Sequence, residues 1–275
     1  MIKMLAVDMD GTCLNRRNHI SAKNMAALRQ LAQSGILIVL ASGRASCCLP
    51  HQLRADPSLF RYAITSNGAR IDDSAGHCLL CQEIFPDTAL SLLNDCAGLP
   101  VGISAHIEKD YLLQGRMLQL LGRAVYGKDA QQARSVSDMR VCVKSCRGVE
   151  ELQFYFFRPS ARQRMKQVLS YYPTLSAAYS SSYVEIFSAQ ASKGNALRFL
   201  ADHLHIRREQ IACVGDSEND LSMFAVSGLT FAVGNAIDAL KQQADHILPD
   251  RDHDPIAAMA RKLNNYKKRR AAFFN

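Results

Sequence analysis

Short apolar runs alternate with longer amphipathic stretches in the first part of the chain. The runs Ile2–Val7, Ile36–Ala41 and Tyr62–Thr65 have the length and composition of buried strands. Between the first two runs, Ser21 is a suitable N-cap for a helix that ends near Ser34. The pattern therefore predicts strands separated by helices from the start of the chain.

A further helix and a hairpin complete this first part. The stretch Ala45–Ala55 is predicted to be helical. After the third strand, Asn67-Gly68 is a typical turn dipeptide. The turn is predicted to lead into a short hairpin that contains Ile71 and Leu79-Leu80.

The pattern changes between residues 85 and 187. Helical patterns at Asp87–Cys96 and Ala161–Tyr172 mix there with strand-like runs, and the part between 115 and 150 is less regular. Within that part, Met117, Leu118, Leu120 and Leu121 are predicted to be core residues. The mixture is typical of an inserted α+β segment. Its strand-like runs are Val101–Ser104, Leu152–Phe157 and Tyr183–Phe187.

Strand and helix alternate again in the last part of the chain. Together with the first part, this alternation predicts an open parallel sheet covered by helices. We therefore expect a core formed by 1–84 and 188–275, with 85–187 as a second, inserted domain. The elements predicted after the insertion are a helix near Ser192–His203, a strand Ile211–Val214, a helix near Leu221–Ser227, a strand Leu229–Val233, a helix from Ala236, a strand His246–Leu248 and a final helix from Pro255.

Polar side chains follow four of the predicted core strands, at the point where each strand ends. They are Asp8, Ser42, the pair Ser66-Asn67, and Asp216. In an open parallel sheet, ligands bind beyond the carboxyl ends of the strands. Four separate segments therefore deliver polar groups to one edge of one sheet, and this convergence predicts a functional site there.

Asp8-Met9-Asp10-Gly11 is the most informative of these segments. Two carboxylates at positions i and i+2 of an extended backbone point to the same side. Such an oxygen cluster suits Mg²⁺, with one carboxylate able to attack and the other able to carry protons. The plainer alternative is a buried strand closed by an Asp-Gly turn.

Two further segments are suited to binding phosphate. Ser42-Gly43-Arg44 offers a hydroxyl and unhindered backbone N–H groups at a strand end. Lys193 opens a helix, where its ammonium could neutralise a phosphoryl group and a nucleophilic carboxylate. An ordinary polar loop and an ordinary helix start are the alternatives.

The acidic loop that follows the strand Ile211–Val214 supplies further candidate ligands. An EF-hand would need a glycine at the sixth position, where Leu221 stands. Asp216 is therefore interpreted as a ligand of an Mg²⁺ shared with Asp8 and Asp10. Asn219 would position a phosphate or water, and Asp220 would be a further ligand or a support. A capping cluster at the helix start is the alternative.

Composition and charge limit the other classes of function. The 275 residues carry a net charge of +8, part of it in the C-terminal run Lys267–Arg270. Such a tail could bind nucleic acid, but no recognised nucleic-acid motif accompanies it, so this partner is not expected. The longest unbroken apolar run is far too short to cross a bilayer, and no secretory signal is apparent.

The nine cysteines indicate reduced thiols rather than a disulfide framework. Their odd number and wide scatter in a chain of this size are typical of a cytoplasmic protein. Cys78 and Cys81 have the spacing of a redox or metal motif, but a structural zinc site would need a second pair of ligands. We therefore interpret them as loop thiols.

Taken together, the motifs resemble the haloacid dehalogenase superfamily of phosphohydrolases, in its Cof-type branch. The resemblance covers both flanking segments, and the order and spacing of the motifs agree with it. The motifs are Asp8-x-Asp10-Gly11-Thr12, Ser42-Gly43-Arg44, Asn67-Gly68-Ala69, Lys193-Gly194-x-Ala196-Leu197, Gly215-Asp216-x-x-Asn219-Asp220 and Val233-Gly234-Asn235-Ala236.

This resemblance implies a doubly wound, Rossmann-like core with a mobile cap inserted after the third strand. It also implies an Mg²⁺-dependent phosphatase for small phosphorylated metabolites, such as sugar phosphates or phosphorylated cofactors. Asp8 would form an aspartyl-phosphate and Asp10 would be the general acid and base. The metal would be held by Asp8, Asp10 through its backbone carbonyl, and Asp216, with Asp220 beside them.

The remaining implied contacts concern the phosphate and the leaving group. The phosphate would contact Ser42, Gly43, Lys193 and Asn219, with Met9 beside the nucleophile. Arg44, Asn67 and cap residues such as Tyr155 or Glu185 would face the leaving group. A monomer or homodimer is expected. The alternatives are a phosphomutase or phosphotransferase of the same superfamily, or a non-catalytic regulatory protein with a basic nucleic-acid-binding tail.

Overall fold

The computed structural model describes residues 1–56 and 58–273, and for residues 121, 124–126 and 265–273 it describes the backbone alone. Two β-sheets organise this part of the chain. One has eight strands and the other has six.

The eight-stranded sheet is formed by the first and last parts of the chain. Its order is β14-β13-β12-β1-β2-β3-β4-β5, parallel except for the antiparallel strands β4 and β5. The strands are β1 (Met4–Asp8), β2 (Leu37–Ala41), β3 (Tyr62–Thr65), β4 (Arg70–Asp73), β5 (Cys78–Cys81), β12 (Ile211–Gly215), β13 (Leu229–Ala232) and β14 (His246–Ile247).

Strand β1 is buried along its whole length and is central to this sheet. It pairs in parallel with β2 on one side and with β12 on the other. The chain proceeds outward from β1 in one direction before the insertion and in the other direction after it. The boundary between β1 and β12 is therefore the point where the strand order reverses, which is where ligands bind in doubly wound sheets.

The helices associated with this sheet follow the predicted alternation. The N-cap of α1 is Ser21, whose hydroxyl accepts the backbone N–H of Asn24. Ser192 caps α7 in the same way, accepting the N–H of Asn195. The helices are α1 (Ala22–Gln33), α2 (His51–Arg54), α7 (Lys193–His203), α8 (Leu221–Val226), α9 (Asp238–Gln243) and α10 (Pro255–Phe273).

The six-stranded sheet is formed by the middle of the chain. Its order is β10-β11-β9-β6-β7-β8, antiparallel except for the parallel pair β7 and β8. The strands are β6 (Val101–Ile107), β7 (Asp110–Gln114), β8 (Arg134–Val136), β9 (Glu151–Phe156), β10 (Leu175–Tyr179) and β11 (Tyr183–Ser188), and the helices are α3 (Pro86–Asp95), α4 (Arg116–Tyr126), α5 (Met139–Ser145) and α6 (Pro159–Leu169).

These elements agree with a mixed α/β core that contains an α+β insertion, so the predicted fold class is confirmed. We refer to the elements from α3 to β11 as the cap and to the rest as the core. The division at residues 84 and 188 stays a prediction.

Two local predictions differ from the structure. The helix expected over Ala45–Ala55 is interrupted at Pro50. Proline has no backbone N–H to donate, and its ring would clash with the preceding turn of a continuous helix. A 3₁₀ turn at Ser46–Cys48 precedes the short α2 instead. The stretch between 115 and 150, expected to be less regular, contains α4, β8 and α5.

Two predicted core residues lie at the surface. Met117 is 65% exposed and Leu120 is 67% exposed, whereas Leu118 is buried. Among these described side chains of α4, Leu118 faces the interior while Met117 and Leu120 face away from it. Leu121 lies outside the residues whose side chains are described.

The two thiols of the Cys-x-x-Cys motif lie on a strand and not in a loop. Cys78 and Cys81 are the ends of β5, are exposed, and have their sulfur atoms 3.1 Å apart. Among the described residues all nine cysteines are free thiols.

None of the helices in the described ranges has the length and apolar character needed to cross a membrane. The side chains of the basic run Lys267–Arg270 lie outside the described residues, and its role as a tail stays a prediction.

Gly68 allows the core to pack closely before α7. Its φ is +96°, and a Cβ there would lie 2.2 Å from the backbone oxygen of Ser192. Gly35 also has a positive φ, of +83°, but a Cβ added there would have no atom within 4 Å. A side chain at Gly35 would therefore meet backbone strain alone, whereas one at Gly68 would meet both backbone strain and steric overlap.

We expect Gly68→Ala to destabilise the protein by about 2 kcal/mol more than Gly35→Ala, because overpacking is added to the strain of a left-handed backbone. Urea unfolding of both variants measures the difference. Equal losses of unfolding free energy in the two variants would show that overlap with Ser192 adds nothing to the strain.

Candidate active site

Asp8 and Asp216 meet at one edge of the core because their strands are neighbours. Asp8 ends β1, and Asp216 follows β12 directly. One carboxylate oxygen each from Asp8, Asp216 and Asp220 lie within 4.8 Å of one another. We call these three residues the acidic cluster.

Lys193 provides the positive charge of this cluster. Its Nζ donates to Asp8 Oδ1 at 2.6 Å and to Asp220 Oδ1 at 2.7 Å, and the side chain is 1% exposed. Burial by itself would lower the pKa of Lys193, but the carboxylates of Asp220 and Asp8 raise it above its ordinary value. The lysine is therefore a fixed ammonium.

The carboxylates themselves are held in an unfavourable environment. Burial, followed by the charge of Asp220, raises the pKa of Asp8 well above its ordinary value. The same two causes raise the pKa of Asp216 to about 6. Asp8 Oδ2 is buried and accepts no hydrogen bond from any described residue. A bound cation would relieve both the repulsion and the unpaired oxygen.

Asp220 already uses both of its carboxylate oxygens. Oδ1 accepts from Lys193, and Oδ2 accepts the backbone N–H groups of Asp216 and Ser217 at 2.9 and 3.1 Å. This arrangement holds the loop after β12 in place and favours the supporting role over that of a metal ligand.

Asp10 lies apart from the acidic cluster and is paired with Arg44. The guanidinium donates to both Asp10 oxygens, at 2.8 and 2.6 Å. Its third nitrogen donates to Asp129 Oδ2 at 2.8 Å, and Asp129 Oδ1 accepts the backbone N–H of His51. Arg44 thus connects the motif carboxylate of the core with a buried carboxylate of the cap.

Asn67 connects the cap to the phosphate-loop candidate Asn219. Its Nδ2 donates to Glu151 at 2.8 Å and to Glu185 at 2.9 Å, while its Oδ1 accepts from Asn219 Nδ2 at 2.8 Å. Its φ of 55° is one that asparagine tolerates better than most residues. The amide is therefore fully occupied by protein partners.

A cavity of about 400 Å³ lies between the core and the cap. The predicted site residues that line it are Asp8, Asp10, Gly43, Arg44, Lys193 and Asn219. The cap contributes His106, Tyr111, Gln153, Tyr179, Tyr183 and Glu185.

The other predicted site residues do not line this cavity. Ser42 is fully buried, and its hydroxyl accepts the backbone N–H of Arg44. The side chain of Met9 belongs to the core. Asn67 and Asp220 are buried, and Asp216 lines a neighbouring cavity together with Asn235.

Sequence reasoning gave no role to several residues that support the site. Thr12 Oγ1 donates to Asp216 Oδ1 at 3.1 Å, and Asn235 Nδ2 donates to the backbone oxygen of Gly11. Thr12 and Asn235 both belong to the sequence motifs, and this was the only indication in the sequence that they support the site. The cap acids Asp129 and Glu150 carried no such signal.

Glu150 forms another buried link between cap and core. It accepts from Arg70 Nη1 at 3.2 Å and from Ser66 Oγ at 3.0 Å. Acidic side chains of the cap thus repeatedly meet donors of the core, and these contacts hold the cap over the cavity.

Comparison with known proteins agrees with this site. The family model of the haloacid dehalogenase-like hydrolases matches residues 5–259. The chain belongs to this family. The resemblance inferred from the motifs is therefore confirmed.

Named relatives of this hydrolase are phosphatases. One is the 5-amino-6-(5-phospho-D-ribitylamino)uracil phosphatase YwtE of Bacillus subtilis, 29% identical over 93% of this chain and 96% of that protein. Another is the HMP-PP phosphatase of Enterobacter sp., 26% identical over 90% of this chain and 89% of that protein. The predicted enzyme class, a phosphatase of the haloacid dehalogenase superfamily, is confirmed.

A solved structure supports the fold of the hydrolase. The HAD subclass IIB sugar phosphatase BT4131 superposes with a TM-score of 0.81 and 20% identity, over 96% of this chain and 99% of that one. At this identity the likeness concerns the fold.

Removal of the Lys193 ammonium should destabilise the hydrolase. Lys193→Met leaves Asp8 and Asp220 buried without a counter-charge, and we expect a loss of about 3 kcal/mol at pH 8. The loss should be smaller at pH 5, where Asp8, whose pKa is raised by burial, can take up a proton and so reduce the repulsion. Denaturant unfolding at both pH values measures it.

Lys144→Met is the matched control, because Lys144 is exposed on α5. A loss as small as that of Lys144→Met would contradict the importance assigned to the Lys193 ion pairs.

The Arg44–Asp129 pair should hold the cap in place. Asp129→Asn removes a buried charge that Arg44 and His51 contact, so we expect faster proteolysis of the segments that join cap and core. Limited digestion with proteinase K, whose broad specificity covers these segments, measures the rate. Asp87→Asn, at an exposed cap position, is the control and should be cleaved like the wild type.

Proposed function

We propose that this hydrolase cleaves phosphate monoesters of small metabolites in an Mg²⁺-dependent reaction through an aspartyl-phosphate on Asp8. The observation that carries this proposal is the meeting of Asp8, Asp216 and Lys193 at the edge of a cavity covered by the cap. The relatives named as phosphatases of small phosphorylated compounds support it.

The acidic cluster fits a hard divalent cation. Asp8 Oδ2 has no donor among the described residues, and Asp216 lies within reach of the same point. Oxygen ligands of this kind suit Mg²⁺. Asp8 and Asp216 would hold the ion together with the backbone carbonyl of Asp10. When bound, the ion supplies the positive charge that lets a phosphate dianion approach the carboxylates.

Asp8 is the proposed nucleophile. Its carboxylate would attack phosphorus in line with the departing alcohol oxygen, and the ester bond to that oxygen would break. Lys193 already orients Asp8 Oδ1, and its ammonium at 2.6 Å favours the ionised carboxylate against the rise in pKa that burial causes. Water would then attack the phosphorus of the aspartyl-phosphate and release inorganic phosphate.

Asp10 is the proposed proton carrier. It would donate a proton to the leaving alcohol and later accept one from the attacking water. Arg44 binds both oxygens of Asp10, so the side chain is held at the cavity surface in a defined orientation. Arg44 would hold the Asp10 side chain in place while Asp10 gives up its proton and takes one back.

The phosphate oxygens would be held from several elements. Gly43, Lys193 and Asn219 line the cavity and offer N–H donors. Ser42 would act through the loop backbone that its hydroxyl holds, and Met9 through its own backbone. Cytoplasmic location and a monomeric or dimeric state stay predictions.

Phosphate release tests this proposal directly. With Mg²⁺, the wild type is expected to release inorganic phosphate from members of a broad panel of phosphate monoesters. EDTA should abolish the activity, and Mg²⁺ should restore it. Asp8→Asn should lower turnover by about three orders of magnitude or more, because an amide cannot accept the phosphoryl group.

Asp202→Asn provides the matched control, since it makes the same change at an exposed position of α7. Its turnover should equal that of the wild type. Equal phosphate release by Asp8→Asn and by the wild type would overturn the proposal, and isomerised product without phosphate would favour a phosphomutase.

A further inference from the structure

One face of the cap sheet forms the upper wall of the cavity. Tyr183 and Glu185 are two positions apart on β11, so they lie on the same side of the strand. Their partners on β9 are Tyr155 and Gln153, respectively. Tyr183, Glu185 and Gln153 line the cavity that also contains Asp8 and Lys193. This face is therefore placed to contact the part of a substrate that lies beyond its phosphate.

The neutral polar groups of this wall are occupied by one another. Gln153 Oε1 accepts hydrogen bonds from Ser104, Tyr111 and Tyr155, and Gln153 Nε2 donates to Glu151. These groups hold the wall rigid. They leave few sites at which a row of substrate hydroxyl groups could bind.

Glu185 is different, because it forms no direct ion pair with a described residue, and the charge of Lys193 acts on it only from a longer distance. Its carboxylate accepts from Asn67 Nδ2 at 2.9 Å, but no lysine or arginine among the described residues lies within 4 Å of it. The two cations that line the cavity are already paired, Lys193 with Asp8 and Asp220, and Arg44 with Asp10 and Asp129. The wall therefore presents a carboxylate that no lysine or arginine of the described residues contacts directly.

The described surroundings of Glu185 supply no cation in direct contact with it. Glu151 is fully buried and shares the Asn67 amide with Glu185, and burial followed by the charge of Glu185 raises the pKa of Glu151 well above its ordinary value. His106 supplies no counter-charge either, because burial lowers its pKa to about 3 and keeps the ring neutral. Burial likewise raises the pKa of Glu185 to about 7, a cost that a nearby cation would remove.

Tyrosine rings add a second attraction for a cation. Tyr183 lines the cavity two residues from Glu185, and its ring lies 5.7 Å from that of Tyr155. The faces of such rings attract ammonium groups. A carboxylate beside a tyrosine is thus complementary to an organic ammonium.

We propose that this enzyme prefers phosphate monoesters whose leaving group carries a protonated amino group, which binds between the Glu185 carboxylate and the Tyr183 ring. The proposal rests on the proposed phosphatase function, since it concerns the leaving group of the same site. Glu185 is then the residue that determines specificity.

Binding of matched ligand pairs tests this preference without relying on turnover. Calorimetric titration of Asp8→Asn protein in Mg²⁺ avoids hydrolysis during the measurement. The pairs are ethanolamine phosphate against 2-hydroxyethyl phosphate, and glucosamine 6-phosphate against glucose 6-phosphate. In each pair an ammonium replaces a hydroxyl, and the two pairs differ in reach.

We expect the amino ligand of at least one pair to bind about tenfold more tightly, as a charge-assisted hydrogen bond provides. Adding Glu185→Gln should reduce the ratio to about twofold or less, because the isosteric amide carries no charge. Adding Glu218→Gln instead is the control, since Glu218 is an exposed carboxylate that also lines the cavity. It should preserve the ratio.

In the protein that retains Glu185, equal affinities within both pairs would overturn the proposal. Failure to bind any of the four ligands would overturn it as well. A preference that survives Glu185→Gln, or one that Glu218→Gln removes equally, would also overturn it. Thermal unfolding shows whether each variant is folded. Phosphate release by the wild type is read separately, so failure of the phosphatase function is distinguishable from failure of this preference.

Discussion

The ammonium of Lys193 between two buried carboxylates is the interaction on which the site depends. Asp8, Asp216 and Asp220 would repel one another in a region from which water is largely excluded, and the buried lysine offsets much of that repulsion. The three partners of the ion pairs come from β1, the start of α7 and the loop after β12. The same contact therefore fixes the charge of the site and aligns three distant parts of the core.

A second set of polar contacts connects recognition to chemistry. Arg44 joins the Asp10 carboxylate to Asp129 of the cap, and Asn67 joins Asn219 to Glu185. Each connection runs from a residue of the proposed phosphate site to one on the cap. A cap that does not close leaves Arg44 and Asn67 with incomplete partners, so closure and correct positioning of the phosphate site are expected to occur together.

The core was predictable because its physics is local. Short apolar runs, N-caps such as Ser21 and Ser192, and polar residues at strand ends identify the sheet and the edge at which Asp8 and Asp216 meet. The interrupted helix after Ala45 was missed although Pro50 was visible. The pairing of Asp129 with Arg44, and of Glu151 with Asn67, could not be predicted, because it depends on how the cap sheet is oriented on the core. The exposure of Met117 and Leu120 depends on the same kind of packing.

The insertion of the cap between β5 and α7 has a consequence for how such a protein can diversify. Lys193 and Asp8 are 185 positions apart along the chain, yet they touch. The entropy lost in closing so long a connection grows only with the logarithm of its length, about 0.6 kcal/mol for each doubling. Cap segments that make no contact with the core can therefore change in length at little entropic cost to the pairing of Lys193 with Asp8. The proposed ligand preference can then vary in this fold while the proposed reacting groups stay where they are.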